Sequence, residues 1–237
     1  MSQPTNATSP PDLSAVTTVL FDVNETLSDM GPIGDRFEEL GLGRDLAPTW
    51  FAGVLRDGFA LTVTGNNPSF VELAKGSLTV LLSPGRSEEE VTAGIEAVLG
   101  AFTGLDVHPD VVEGVRRLTG SGHRLFTLSN GASSIAASLL ERAGVAGEFA
   151  DLLSVQDAPA WKPAAAAYEY AVSTVGVAKH EAVLVAVHPW DIDGAARAGL
   201  RTAWMNRDGG LYPDYFRRAD VEVPSLVALA EALDAGA

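Results

Sequence analysis

Short apolar runs alternate along this chain with longer segments of helical periodicity, and each run gives way to polar residues. Thr17–Phe21 (TTVLF), His123–Leu128 (HRLFTL), Ala182–Val187 (AVLVAV) and Arg201–Met205 (RTAWM) read as buried strands, with Phe149–Ser154 a weaker fifth. Helical patterns lie between them at about Pro109–Gly120, Ser133–Ala143, Pro163–Val175 and Asp191–Ala198, most ending near a glycine. Strands separated by helices imply a parallel sheet, because parallel neighbours need a crossover. The fold class expected is α/β, with a Rossmann-like core. One stretch breaks the alternation. Residues 34–103 carry helical patterns and no convincing strand, which predicts a helical cap inserted into a core formed by 15–33 and 104–237.

Composition narrows the function classes. At 237 residues and 46% hydrophobic content, the chain can bury an ordinary core. It has no cysteine, which excludes a thiol nucleophile and cysteine-ligated metal and suits a reducing compartment. A net charge of −15 repels phosphate backbones, so nucleic acid is a poor partner. An anionic substrate would need a locally positive pocket. Residues 1–14 are polar and proline-rich without a signal peptide's basic start and apolar run, and read as a disordered tail. No stretch reaches the length of a membrane span, which makes the cytoplasm the expected location.

Parallel sheets bind ligands outside the carboxyl ends of their strands. Those ends here are polar: Asp22-Val23-Asn24-Glu25-Thr26, Ser129-Asn130-Gly131 and His188-Pro189-Trp190-Asp191, with Lys162 before Pro163 at a helix start. Each has a plain structural reading. Thr26 and Asp191 could cap helices, Ser129 and Asn130 could form a turn, and Lys162 could be a surface lysine. Glu25 and Asp193 read as acidic first-turn residues.

Taken in order, FDVNETL, TLSNG, WKP and HPWDIDGAARAG resemble the motifs of the haloacid dehalogenase superfamily, and residues 34–103 fit its cap position. Many members are magnesium-dependent phosphatases with a second aspartate two residues after the nucleophile and a further acidic metal ligand four residues before Asp191. Here those positions hold Asn24 and Val187. An amide is no carboxylic acid, and valine does not ligate a hard cation. A halide leaving group needs neither. The chain therefore looks like the metal-independent type II 2-haloacid dehalogenases, with no cofactor and a small haloacid as substrate.

The resemblance implies Asp22 as nucleophile, Thr26 as its orienting donor, and Lys162 as the charge that keeps the carboxylates ionised. Ser129 and Asn130 would help bind the substrate carboxylate and fix the site, together with backbone N–H groups of Val23 and Asn24. Asp191 would position or activate the hydrolytic water. The family often forms homodimers. Two departures stand out. Phe51 occupies the place of the cap arginine that follows a tryptophan, here Trp50, and Arg56 lies on another helix face at about 100° per residue. Ala186 and His188 stand where the family has serine and asparagine. The expectation is a pocket lined by Trp50, Phe51 and Trp190, with His188 taking over anion stabilisation. A phosphatase acting on a small ester, or a non-catalytic binding protein of the same fold, stays open at this point.

Overall fold

In a computed structural model, residues 13–235 are described. The first strand, β1 (Thr18–Phe21), is buried along its whole length, as an apolar run covered on both faces should be. Four helices follow: α1 (Gly31–Glu39), α2 (Leu46–Val63), α3 (Phe70–Leu82) and α4 (Glu88–Phe102). Capping boxes, Ser69 with Glu72 and Ser87 with Glu90, start α3 and α4. Consecutive helices pack on one another, and α4 returns to α1. The chain then runs through α5 (Val111–Gly120), β2 (Arg124–Ser129), α6 (Ser133–Arg142), β3 (Phe149–Ser154), α7 (Ala165–Val175), β4 (Ala182–Ala186), α8 (Pro189–Ala198), β5 (Arg201–Met205), β6 (Val221–Val223) and α9 (Leu226–Ala235).

The six strands form one parallel sheet in the order β3-β2-β1-β4-β5-β6. The chain leaves β1 toward β2 on one side and returns to pair β4 on the other. Such a switch point opens a crevice beyond the strand ends. Phe21 is level with Thr127 of β2 and with Val185 of β4, so Asp22 emerges in the middle of that crevice.

Several boundaries differ from the sequence expectation. Helix α1 starts at Gly31 rather than near Gly34, and Ile33 in its first turn is fully packed. Strand β6 and helix α9 were not anticipated: three residues are too few for a periodic signal, and α9 is apolar almost throughout. Residues 1–12 of the expected tail lie outside the described residues. Leu13 is buried in the core, with its carbonyl bonded by the Val16 N–H, so the tail reading does not extend to it. Among the described residues, no helix is long and apolar enough to cross a membrane.

Candidate active site

The loop after β1 turns within five residues: the N–H groups of Leu27 and Ser28 both donate to the Val23 carbonyl. This tight turn brings Thr26 back onto the residue that precedes it. Its hydroxyl donates to Asp22 Oδ2 at 2.7 Å and accepts from the Val187 N–H at 3.1 Å, which ties the loop to the end of β4. Thr26 is therefore no helix cap.

Lys162 lies in the loop before α7, and its side chain is fully buried. Nζ donates to Asp22 Oδ1 at 2.9 Å and to Asp191 Oδ2 at 2.6 Å. Asn130 fixes the lysine from both sides of its amide: Nδ2 donates to the Lys162 carbonyl and Oδ1 accepts its N–H. The Asn130 amide is thereby bonded to the Lys162 backbone at both its nitrogen and its oxygen. Ser129 accepts the Gly131 N–H at 2.9 Å.

Asp191 is the third residue of α8, whose N-cap position belongs to His188. Its carboxylate turns inward. Oδ2 meets Lys162, Oδ1 accepts from the Tyr168 hydroxyl at 2.6 Å, and the residue has 0% exposure. The sequence expectation gives Asp191 the role of positioning or activating the hydrolytic water; here each of its oxygens accepts one hydrogen bond, from Lys162 and from Tyr168. Tyr168 was not anticipated. It is one aromatic residue on an alanine-rich helix, with nothing in the local pattern to distinguish it from core.

Two carboxylates share one ammonium. Burial pushes Asp22 upward, but the charges of Lys162 and His188 and the bonds from Lys162 and Thr26 outweigh it and hold its carboxyl below the ordinary aspartate value. Burial dominates at Asp191, where Asp22 adds like-charge repulsion, so that carboxyl is raised despite Lys162. Burial opposes charge on Lys162, and the two aspartates more than offset it, raising its value. The shared ammonium thus favours the charged form of Asp22, while burial and like charge disfavour that of Asp191.

His188 sits beside Asp22. Nε2 is 3.6 Å from Asp22 Oδ2 and 3.5 Å from Glu25 Oε2, and the ring stacks on Trp190 at 5.0 Å. Trp190 also meets Phe59 of α2 and lies 6.0 Å from Lys162 Nζ. Glu25 has a φ of 63°, in the left-handed region, and burial raises its carboxyl above the ordinary glutamate value. The reading of Glu25 as a merely structural first-turn residue fails, because no helix starts there and its side chain reaches the site.

A cavity of about 50 Å³ opens against the residues that directly follow Asp22 and those at the end of β2. Val23, Asn24, Ser129 and Gly131 form its core wall, and Phe70 and Phe102 stand opposite. Trp50 does not line it. Its indole donates to Ser77 and packs between Phe37 and Phe102, inside the helical segment. Phe51 packs on Phe70 and faces a second cavity of about 660 Å³ on the far side of Glu25. Arg56 is exposed and paired with Asp57, as its helix position suggested. Among the described residues, no group of three or more His, Asp or Glu side chains is arranged to hold a metal ion, and Lys162 stands between the two aspartates.

Comparison with known proteins agrees with this geometry. Over 219 residues the chain is 27% identical to haloacetate dehalogenase H-2 of Moraxella sp. (strain B), covering 92% of this chain and 97% of that protein. It is also 27% identical to the (S)-2-haloacid dehalogenase of Pseudomonas sp. (strain YL), covering 92% and 95%. The L-2-haloacid dehalogenase of Xanthobacter autotrophicus, solved with chloropropionic acid covalently bound, shares the fold with a TM-score of 0.81 at 21% identity, covering 94% of this chain and all of that one. The family model for haloacid dehalogenase-like hydrolases matches residues 16–199, so the chain belongs to the haloacid dehalogenase-like hydrolase family.

Proposed function

We propose that the protein is a metal-independent 2-haloacid dehalogenase that forms an ester on Asp22. A single observation carries this reading: a buried aspartate, held ionised by Lys162 and oriented by Thr26, directly precedes Val23 and Asn24, which line a small cavity. An Asp22 oxygen attacks C2 of the haloacid; the C2–O bond forms as the C2–halogen bond breaks, and the halide leaves with the bonding pair. Water then attacks the ester carbonyl and releases the 2-hydroxy acid. Relatives of similar length, named as haloacetate and 2-haloacid dehalogenases, support that chemistry.

The substrate carboxylate would sit against Ser129, the Asn24 amide and the backbone N–H groups of Val23 and Asn24, donors at a tight turn. The helical segment would act as a cap whose aromatic wall excludes water from the alkylation step. Asn24, an amide, and Val187, which offers only a backbone N–H to Thr26, leave the phosphatase alternative without its acid and its metal ligand. The same reading keeps a cytoplasmic location, to which a cysteine-free chain is suited, and a homodimer, which size-exclusion chromatography tests.

The decisive measurement is halide release from chloroacetate and 2-chloropropionate, with Asp22→Asn as the blank. Wild type releases halide without added metal and in the presence of EDTA. Asp22→Asn falls by about 10⁴-fold or more, the scale of removing a covalent nucleophile. Halide release by the asparagine variant at the wild-type rate would refute the assignment.

A further inference from the structure

The turn after β1 is held from outside at three successive carbonyls. His108 Nε2 donates to the Glu25 carbonyl at 3.0 Å, Arg207 Nη2 to the Thr26 carbonyl at 2.9 Å, and the His108 N–H to the Leu27 carbonyl at 2.9 Å. The turn needs holding, because Glu25 has a φ of 63°, where a residue with a Cβ is disfavoured. The three bonds belong to one frame. Asp110, two residues after His108, pairs with Arg207 Nη1 through Oδ1 and accepts the Leu226 N–H at the start of α9 through Oδ2 at 2.7 Å. Arg207 follows Asn206, whose N–H donates to the Val223 carbonyl of β6.

Packing does not account for Arg207. Its side chain is 15% exposed and that of Asp110 17%, so the pair is largely withdrawn from water, and Arg207 Nε is buried without a partner among the described residues. Such a pair contributes little to stability, because desolvation offsets much of the attraction between its charges. A guanidinium is, however, a rigid planar fork. One prong is on Asp110 and the other on the Thr26 carbonyl, which clamps the turn to the core at a single residue. That residue bears the hydroxyl that donates to Asp22 Oδ2 at 2.7 Å and accepts from the Val187 N–H at 3.1 Å. One hydroxyl has to meet both partners, so a shift or rotation of the Thr26 backbone loses at least one of them.

Resting on the proposed dehalogenase chemistry, we propose that Arg207 is a positioning residue for the alkylation step, acting through Thr26 to aim the Asp22 carboxylate at C2. Arg207 makes no bond to Asp22. Its influence runs from the guanidinium to the Thr26 carbonyl, from the Thr26 backbone to its hydroxyl, and from the hydroxyl to Oδ2. Lys162 holds the other oxygen of Asp22, so the two oxygens are fixed by different parts of the chain. Displacement at C2 needs the attacking oxygen, the carbon and the leaving halogen in line, and a misplacement of about 1 Å lowers such a rate by about 10²-fold. The guanidinium faces Asp110 and a carbonyl, so losing its fork disturbs the geometry of Asp22 before its charge.

The test is a double-mutant cycle on Arg207→Lys and Thr26→Val, with halide release from chloroacetate as the readout. Lysine keeps a charge beside Asp110 but presents one flexible ammonium in place of the fork. Valine keeps the branched shape of threonine and removes the hydroxyl. Arg207→Lys lowers kcat about tenfold or more, the scale of a displaced reacting group, and leaves KM within about twofold of wild type. In the Thr26→Val background the same substitution changes kcat by less than about twofold, since the hydroxyl it would misdirect is gone. A second variant, Arg207→Ala, guards against a lysine that merely destabilises the fold. Arg207 lines the 660 Å³ cavity, so added methylguanidinium has a path to the vacated place and restores halide release, whereas methylammonium does not. Wild-type kcat in Arg207→Lys, losses that multiply in the double variant, or equal rescue by the two cations would each overturn the positioning role while halide release by wild type keeps the dehalogenase reading intact. No halide from wild type would remove both.

Discussion

The core side of the site holds charges locked by hydrogen bonds as short as 2.6 Å, whereas the wall contributed by α2–α4 is built from aromatic rings 5.6–5.8 Å apart. On the core side each functional group comes from a strand end or the loop just beyond it, and its direction is fixed by neighbours within the same crevice. On the helical side, no charged side chain enters the small cavity. Under the proposed function the two walls have different roles: the core wall would set ionisation and attack, and the aromatic wall size and dryness. Two attachments hold the walls together beside Lys162. Asn67 donates to the carbonyls of Val155 and Ala158, and Trp161 donates to the Pro68 carbonyl.

The largest effect that sharpens the contrast is expected from Lys162→Met. Removing the ammonium leaves two buried carboxyls facing each other, and activity falls by about 10²- to 10³-fold, the scale of losing one preorganised electrostatic partner. The pH dependence gives the sign. In wild type Asp22 is lowered, so it stays ionised, and contributes its stabilisation, down to below the ordinary aspartate value; that contribution is lost as pH falls through the folded value. Without Lys162, burial and Asp191 remain and push Asp22 up. The acid limb of halide release, followed across a pH series, therefore moves to higher pH in the variant. An unmoved limb would mean that the core wall does not set the ionisation of the nucleophile.

The same contrast explains what was legible in the sequence. Asp22, Thr26, Ser129, Asn130, Lys162 and Asp191 could be found because strand ends fall at fixed places in an alternating pattern, and a parallel sheet gathers them at one edge. Their directions were less legible. Asn130 turns to Lys162, and Asp191 turns inward to Tyr168, because partners distant in sequence decide where an amide or carboxylate points. Glu25 was missed because its left-handed φ is a property of the clamped turn rather than of the letters NET. The helical wall was the least legible. A helix advances about 100° per residue, so one residue of displacement exchanges a lining position for a core one. Trp50 and Phe51 are adjacent, yet one is enclosed among Phe37, Phe102 and Ser77 while the other faces the large cavity. Phe70 and Phe102, which do line the small cavity, come from the helix ends.

A smaller effect tests how rigidly the walls meet. Gly58 of α2 lies against Trp161, and a Cβ there would come within 2.5 Å of the indole ring. Both partners are fixed, since Trp161 is 1% exposed and bonded to Pro68. Gly58→Ala should therefore lower stability by about 1–3 kcal/mol, the usual cost of overpacking. It should also raise KM for chloroacetate more than it lowers kcat, because the displaced ring lies between the aromatic wall and Lys162. Thermal unfolding and steady-state kinetics read the two effects separately. A kcat loss without a change in KM would show that the aromatic wall takes part in the chemistry.

The smallest effect belongs to Arg56, the cation of α2 nearest to the place where the sequence resemblance leads one to expect a cap arginine. Its side chain is 75% exposed and paired with neighbouring Asp57, a contact between two solvated groups that contributes little. If the helical wall acts through aromatic surface alone, Arg56→Ala leaves halide release within about twofold of wild type and stability within about 0.5 kcal/mol, as for an ordinary surface substitution. A tenfold loss of halide release at unchanged stability would instead bring a charge from α2 into the working site. The division between an ionic core wall and an uncharged aromatic wall would then hold only for the resting protein, with α2 turning its charged face inward once a haloacid is bound.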